Sequence, residues 1–372
     1  MRFCIITHVV HKYHNGKYYG YSPYIKEMDI WNKYPTEVYV IAPLVFSEPN
    51  SIETAYKYEN IKFISVPEFS TIGILSIVKL IWKVPYITTI LFLGILRSDH
   101  IHLRCPGNMG LLGAFVQILF PKKKKSTKYA GNWDWTSKQP FSYRIQKSIV
   151  RNTFLTRNMH VLVYGDWKET KNIKPFFTAS YSADESVRTS PRDLLPNNPI
   201  KLIFVGTLHE GKRPYLSLEA TKKLLENGLN CELHFYGDGP ELEKLKGFCE
   251  KEDLEQSVFF HGNVSADEVK KAYQESHFLI FASQSEGWPK VVAESMFWGC
   301  LPMTTAVSCV PEMVGNGLRG DLVEPNVRDI TSRIEYYLFN HNEYQSKCEN
   351  AMIWSREFTL ERFEEEIHKL LI

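Results

Sequence analysis

Residues 285–294 read SEGWPKVVAE and set two carboxylates, Glu286 and Glu294, between the apolar runs HFLIFAS and SMFWGC. Pro289 suits a first helical turn, because it lacks the N–H that would be unpaired there. A helix from about 289 to 299 would begin beside Glu286 and carry Glu294 just over a turn further on. The N–H groups of Lys290 and Val291 then form an anion site, and Gly287 lets a ligand approach the backbone. A second cluster follows the apolar run KLIFVG: Thr207, Glu210, Gly211, Lys212 and Arg213. A helix end contributes only ~0.3–1 kcal/mol to holding an anion. A charge-assisted hydrogen bond from lysine gives ~1.5–3 kcal/mol. Lys212, with Arg213 beside it, should therefore dominate phosphate binding, with the helix end orienting it. Carboxylates at both ends of such a site would repel phosphate, so they should accept hydrogen bonds from hydroxyls. Hydroxyls on both sides of a diphosphate describe a nucleoside-diphosphate sugar.

Those residues need strands and helices to hold them. Strand candidates are 3–9, 37–43, 61–66, 100–104, 128–131 and 160–165, then 201–206, 231–237, 258–262, 277–283 and 300–305, with helical patterns between them. Strand–helix alternation implies parallel sheets covered on both faces, with ligands beyond the carboxyl ends of the strands. The segment SVRTSPRDLLPNNP, 186–199, has no period and is the best linker. It predicts domains at 1–187 and 188–355, with 356–372 as a terminal helix packing back on the first. In that helix Thr359 is the cap, and Leu360, Phe363, Ile367 and Leu370 form one stripe. Two more strand ends join the site, Gly237-Asp238-Gly239-Pro240 and His261-Gly262-Asn263-Val264. Gly237-Asp238-Gly239 lacks the third glycine of a dinucleotide fingerprint.

Taken in order, FVGTLHEGK, YGDGP, FxGxV, SEGWPxVxxE and VPE resemble the retaining GT-B glycosyltransferases of family four, over about residues 201–325. The resemblance implies an α/β fold of two Rossmann-like, doubly wound domains facing a central cleft. It implies that Glu286 contacts the donor sugar, that Glu294 grips the ribose and that Lys212 holds the diphosphate. It places Gly237 and residues His261, Gly262, Asn263 and Val264 around the nucleotide, with Gly287, Trp288, Pro289, Lys290 and Val291 lining the anion site. Thr207 stands where the family often has arginine, which leaves Lys212 as the main cation unless Arg213 substitutes. The donor would be a UDP- or GDP-sugar, with no cofactor. No D-x-D occurs, so metal-held diphosphate is not expected.

The first half matches in general architecture alone. Its loop HVVHKYHNGKYYGYSPY offers His11, Gly16 and Tyr18 as acceptor contacts, with Trp133 from a later loop. His8, His11 and His14 lack a carboxylate partner and are read as surface or acceptor contacts, not a metal site. His100 and His102 share one strand face and are read as structural. In YAGNWDW, Asn132 and Asp134 stand where family members often carry a histidine near the reacting centre. Asp134 is either a base, which would suit inversion, or the cap of the next helix; the cap is favoured. Residues 71–96 are nearly all apolar, but Lys79, Lys83 and Pro85 interrupt them, favouring buried or outward-facing helices over a membrane span. Lys122 to Lys125, after an apolar helix, read equally as a membrane-surface patch or a solvated loop.

At 372 residues, two domains are the default, and a net charge of +2 gives no case for a nucleic-acid partner. Seven scattered cysteines without a C-x-x-C pair suggest reduced thiols in the cytoplasm, with the inner face of the membrane as an associated site. The composite expectation is a glycosyltransferase acting on a glycan or lipid-linked acceptor in surface polysaccharide or glycoconjugate synthesis. A GT-B-type sugar-nucleotide epimerase, or a non-catalytic sugar-nucleotide-binding assembly protein, are the alternatives.

Overall fold

The computed structural model describes residues 1–68, 74–167, 170–186, 190–195 and 198–372. The chain divides into two compact units, Met1–Phe177 with Phe363–Ile372, and Thr178–Arg362. The first break therefore precedes the expected boundary at 187/188. Of the expected linker, residues 187–189 and 196–197 lie outside the described residues. The part between them is built into the second unit. Leu194 is buried in that unit's core, and the Arg192 guanidinium donates to the carbonyls of Gln274 (2.7 Å) and Trp298 (3.0 Å).

The first unit carries β1 (Arg2–Ile6), β2 (His11–His14), β3 (Lys17–Tyr21), α1 (Ser22–Asn32), β4 (Glu37–Phe46), β5 (Glu53–Ala55) and β6 (Ile61–Val66). It continues with α2 (Ile74–Arg97), β7 (His100–Cys105), α3 (Asn108–Val116), β8 (Lys124–Tyr129), α4 (Phe141–Arg151), β9 (Met159–Tyr164) and β10 (Ile173–Phe176). Its parallel core runs β6-β4-β1-β7-β8-β9-β10, and β2, β3 and β5 extend one side. The loop expected after β1 is in fact a hairpin. Asn15 and Gly16 both take positive φ (48° and 77°), the backbone of a tight two-residue turn that Asn-Gly favours. His100 and His102 are buried and both bond to Ser126 Oγ at 2.9 Å.

The lysine run is only partly free at the surface. Lys124 and Lys125 open β8, which starts before the expected 128–131, and Lys125 is buried. Lys123 donates to the Leu96 carbonyl at 3.0 Å and Lys124 to the Ile372 carbonyl, so of the four Lys122 is left most clearly at the surface. Further along β8, Lys128 and Arg104 of β7 each reach Glu27 of α1 at 2.9 Å, a buried three-charge cluster. The apolar stretch 71–96 forms α2, its first three residues lying outside the described set. Among the described residues no helix is long and apolar enough to cross a membrane.

The second unit is one parallel sheet, β13-β12-β11-β14-β15-β16. Its elements are β11 (Ile200–Val205), α5 (Pro214–Glu226), β12 (Cys231–Tyr236), α6 (Leu242–Lys251), β13 (Val258–Gly262), α7 (Ala266–Glu275), β14 (Phe278–Phe281), α8 (Lys290–Phe297), β15 (Leu301–Thr304), α9 (Val310–Met313), β16 (Asp321–Leu322), α10 (Val327–Phe339) and α11 (His341–Ser355). The central strands β14 and β15 are buried along their whole length, and Leu202, Phe204, Leu233, Phe235, Phe278 and Ile280 lie in the core. The last helix, α12 (Leu360–Leu371), has Arg362 N–H donating to Thr359 Oγ1 (3.4 Å). It buries Phe363, Ile367 and Leu371, where the expected stripe had Leu370. Phe363 packs on Phe176 and Phe177 of the first unit, so the return comes at Phe363 and not at 356.

Candidate functional site

In the second unit β11 leads to β12 and β13 on one side, while β14, β15 and β16 lie on the other. The strand order therefore switches direction between β11 and β14, and loops leaving a switch point diverge and open a crevice. The two loops there are the ones singled out by sequence. Residues 207–213 leave β11 and residues 282–289 leave β14. Gly211 ties them together, its carbonyl accepting from Gln284 N–H at 2.8 Å. The 207–213 loop folds on itself as His209 Nδ1 accepts from Gly211 N–H at 3.0 Å. Lys212 and Glu286 consequently meet, their ammonium and carboxylate in direct contact. The Lys212 ammonium also sits 4.7 Å above the Phe281 ring. Both side chains remain partly accessible, at 21% and 10%.

α8 begins at Lys290 with Pro289 as its N-cap residue, one position before the turn expected to hold it, and no side chain caps it. Gly287 is fixed from below, its carbonyl accepting from Cys309 Sγ (3.2 Å) and Ser308 Oγ (3.3 Å). Trp288 packs against Phe358 and Trp354. Glu294, inside α8, accepts from Ser180 Oγ at 2.6 Å and from Tyr273 OH at 3.4 Å. Its carboxylate already does the chemistry foreseen for it, hydroxyl acceptance, toward groups of its own chain. Ser180 and Tyr273 were not foreseen. Tyr273 OH is pushed well above its ordinary pKa by burial and then by Glu294, so it stays a donor.

Arg213 is already engaged with its own chain. It takes a left-handed backbone (φ 51°) and donates to the Ala282 carbonyl at 3.0 Å, bracing the end of β14. Thr207 is exposed at the end of β11. Gly237 and Gly239 matter through crowding. A Cβ on Gly237 would stand 2.1 Å from the Gly206 carbonyl oxygen, and one on Gly239 2.4 Å from that of Leu208. The G-D-G pattern is a close crossing of two strand ends, not a nucleotide fingerprint. Beside it the Gly262 carbonyl accepts from Gly237 N–H at 2.8 Å. His261 stacks on Tyr236 at 4.3 Å and shares a 3.1 Å hydrogen bond with His234. Asn263 is exposed and Val264 half-buried on the same loop.

The first-unit candidates do not gather in the same way. Asn132 and Asp134 belong to a self-contained turn: Asp134 N–H donates to Asn132 Oδ1 (2.9 Å), and the Asp134 carboxylate takes Thr136 N–H and Oγ1, each at 2.8 Å. Asp134 thus serves this turn and does not cap α4, whose N-cap is Pro140. His11 is fully buried, with its ring nitrogens bonded to the Val9 carbonyl (2.8 Å) and Tyr56 OH (2.9 Å). Trp133 is 1% exposed against Tyr129. Neither can meet an acceptor. Gly16 is the hairpin turn, and Tyr18 stacks on Phe63 at 4.8 Å. The strand order of this unit reverses between β1 and β7, which puts His8 and Arg104 at its switch point. There the Gly107 backbone lies so close that a Cβ would come 2.5 Å from His8 Nδ1. The signal for His8 was its place directly after β1, which the histidine spacing obscured. Among the described residues no group of three or more His, Cys, Asp or Glu could hold a metal ion.

Residues 187–353 match the family described as glycosyl transferases group 1. WcaL of Escherichia coli (strain K12), a glycosyltransferase assigned to colanic acid biosynthesis, is 30% identical over 149 residues, 38% of this chain and 37% of that one. Protein CapJ of Staphylococcus aureus is 24% identical over 285 residues, 72% of this chain and 70% of its own. Among solved structures, Anabaena HepE in complex with UDP and glucose superposes with a TM-score of 0.69 at 14% identity, covering 100% of this chain and 99% of that one. The fold is GT-B, and the group 1 match falls on the unit that carries Lys212, Glu286 and Glu294.

Proposed function

We propose that this chain is a glycosyltransferase moving a sugar from a UDP- or GDP-sugar to a hydroxyl of a glycan or lipid-linked acceptor, in surface polysaccharide or glycoconjugate synthesis. The observation that carries it is the meeting of Lys212 and Glu286 at the switch point of the second unit, beside the uncapped start of α8. A lysine and a carboxylate in contact can divide one ligand between them, the ammonium taking diphosphate oxygens and the carboxylate a neighbouring sugar hydroxyl. As the glycosidic bond breaks, charge grows on the diphosphate. Lys212 and the N–H groups opening α8 stabilise that charge. Glu294, which accepts hydroxyl hydrogen bonds, serves the ribose. The acceptor hydroxyl attacks from the face the diphosphate leaves and passes its proton to the departing diphosphate oxygen, giving retention without a protein nucleophile, and no metal is required. Seven buried thiols fit a reducing compartment such as the cytoplasm.

A panel of UDP- and GDP-sugars, followed by thermal shift and by hydrolysis with and without chelator, tests this. At least one donor should raise the melting temperature and be turned over equally in chelator. Lys212→Ala should weaken both responses. If no nucleotide sugar shifts the wild-type transition, the proposal fails; if conversion runs without acceptor and returns a sugar-nucleotide isomer, the enzyme is an epimerase.

A further inference from the structure

Among the described residues α2 leaves more large apolar side chains exposed than any other helix. Its inner edge, Ile87, Leu91 and Ile95, is fully buried in the first unit's core. Its outer edge is also apolar: Trp82 is 83% exposed, Tyr86 56%, Phe92 38%, Leu93 44% and Leu96 53%. From 82 to 96 this stripe runs roughly 20 Å at the helical rise. It does not stop at the helix end. The Phe92 ring lies 5.1 Å from Phe120, and Lys123 Nζ donates to the Leu96 carbonyl at 3.0 Å. These contacts join it to the end of α3 and the turn after it, where Phe115 is 49% and Leu119 66% exposed. Scattered surface apolar residues are ordinary, but a continuous face of this kind marks an interaction site.

Charge identifies the partner. Between Glu68 and Asp134 the sequence holds nine lysines and arginines, of which Lys125 and Lys128 are buried and Arg104 is paired with Glu27, and a single acid, Asp99. That acid is paired with Arg2 at 2.8 Å. Arg97 and Lys122 stand exposed at the end of the stripe where α2 meets residues 119–123. An apolar face with aromatic residues along it and cations at its edge is complementary to an anionic bilayer surface. It is poorly matched to a second copy of itself, because a two-fold contact sets like charges against each other.

We propose that this face docks the protein on the surface of a bilayer containing anionic lipid. α2 lies in the interface plane, with Trp82, Tyr86 and Leu93 sunk among the headgroups and Arg97 and Lys122 on the phosphates. The contact is independent of the sugar chemistry proposed for the second unit, and vesicle binding is read without any donor.

The full chain is sedimented with vesicles of phosphatidylcholine alone and of phosphatidylcholine mixed with phosphatidylglycerol. Binding should favour the mixed vesicles and weaken with added salt. Trp82→Ser with Leu93→Ser should lower it roughly tenfold or more on either vesicle. Arg97→Gln with Lys122→Gln should lower it roughly fivefold per cation on the anionic vesicles alone. All four side chains are exposed, so both variants should keep the wild-type melting temperature and donor response. Wild-type protein that stays in solution with anionic vesicles, or double variants that bind as wild type, would overturn the proposal. So would a dimer in sedimentation velocity that the Trp82/Leu93 variant abolishes, which would give the face to a second copy.

Discussion

Two glutamates on one loop and helix carry different burdens. Glu286 touches Lys212 at the point where the proposed sugar and diphosphate join, whereas Glu294 sits within α8 among hydroxyls. Glu286→Gln should lower kcat with little change in donor KM, and Glu294→Ala should raise donor KM with kcat largely kept. Steady-state kinetics with the donor varied separates them; the reverse pattern would exchange their roles. Lys212→Ala removes a charge-assisted bond and should cost roughly 10- to 200-fold in kcat/KM. Asp134→Asn is the contrasting case. Its carboxylate serves Thr136, so turnover should persist while stability falls by about 1 kcal/mol in urea titration. A collapse of turnover in a folded Asp134→Asn variant would restore it as a base.

The strand ends are where local geometry decides whether the site exists. Gly237 holds φ at 135° with Gly206 pressed against it. Gly237→Ala should therefore destabilise the second unit by about 2 kcal/mol or more, measured by urea unfolding, and weaken donor binding in step. Wild-type stability in that variant would mean the crossing of 206 and 237 is loose. At this scale the second unit was legible in the sequence. Its strands β11, β12 and β14 run into Gly206, Gly237 and Ser283, and the loops that leave those ends carry the candidate residues. The first unit was less so. Trp133 and His11 are residue types that serve equally as ligands and as core, and only the packing of Tyr129 and Tyr56 around them decides. The lysine run misled because charge suggests solvent, whereas β8 buries Lys125 and pairs Lys128 with Glu27. The Asn15–Gly16 hairpin did carry a readable signal, an Asn-Gly pair between Tyr-rich runs. Partner strands β4 and β5, distant in sequence, were needed to make it a sheet.

For the whole molecule, acid should act unevenly. Burial lowers His100 and His102 to about 3 and His11 to about 4, all in the first unit, while in the second only His277 is brought to about 4. Each is held neutral by the fold and gains a proton on unfolding at the ordinary value. The stability they contribute is therefore complete above about pH 6.5 and is lost as pH falls toward the folded values. At pH 5 His100 or His102 alone should account for about 2 kcal/mol of lost stability. Because both rings share Ser126, the two losses should not simply add. Hydrogen exchange at pH 7.5 and pH 5 should show first-unit amides losing protection before second-unit ones. The opposite order would mean other groups control the acid limit.

The seven cysteines give this chain a clock. Cys4 and Cys105 lie in the first unit, and Cys231, Cys249, Cys300, Cys309 and Cys348 in the second, every one of them buried with its thiol pKa raised first of all by desolvation. A thiol in that state does not react with an alkylating reagent until its surroundings open. Timed pulses of iodoacetamide, read peptide by peptide, would therefore record the opening rate of each unit in the unmodified protein, without an introduced probe.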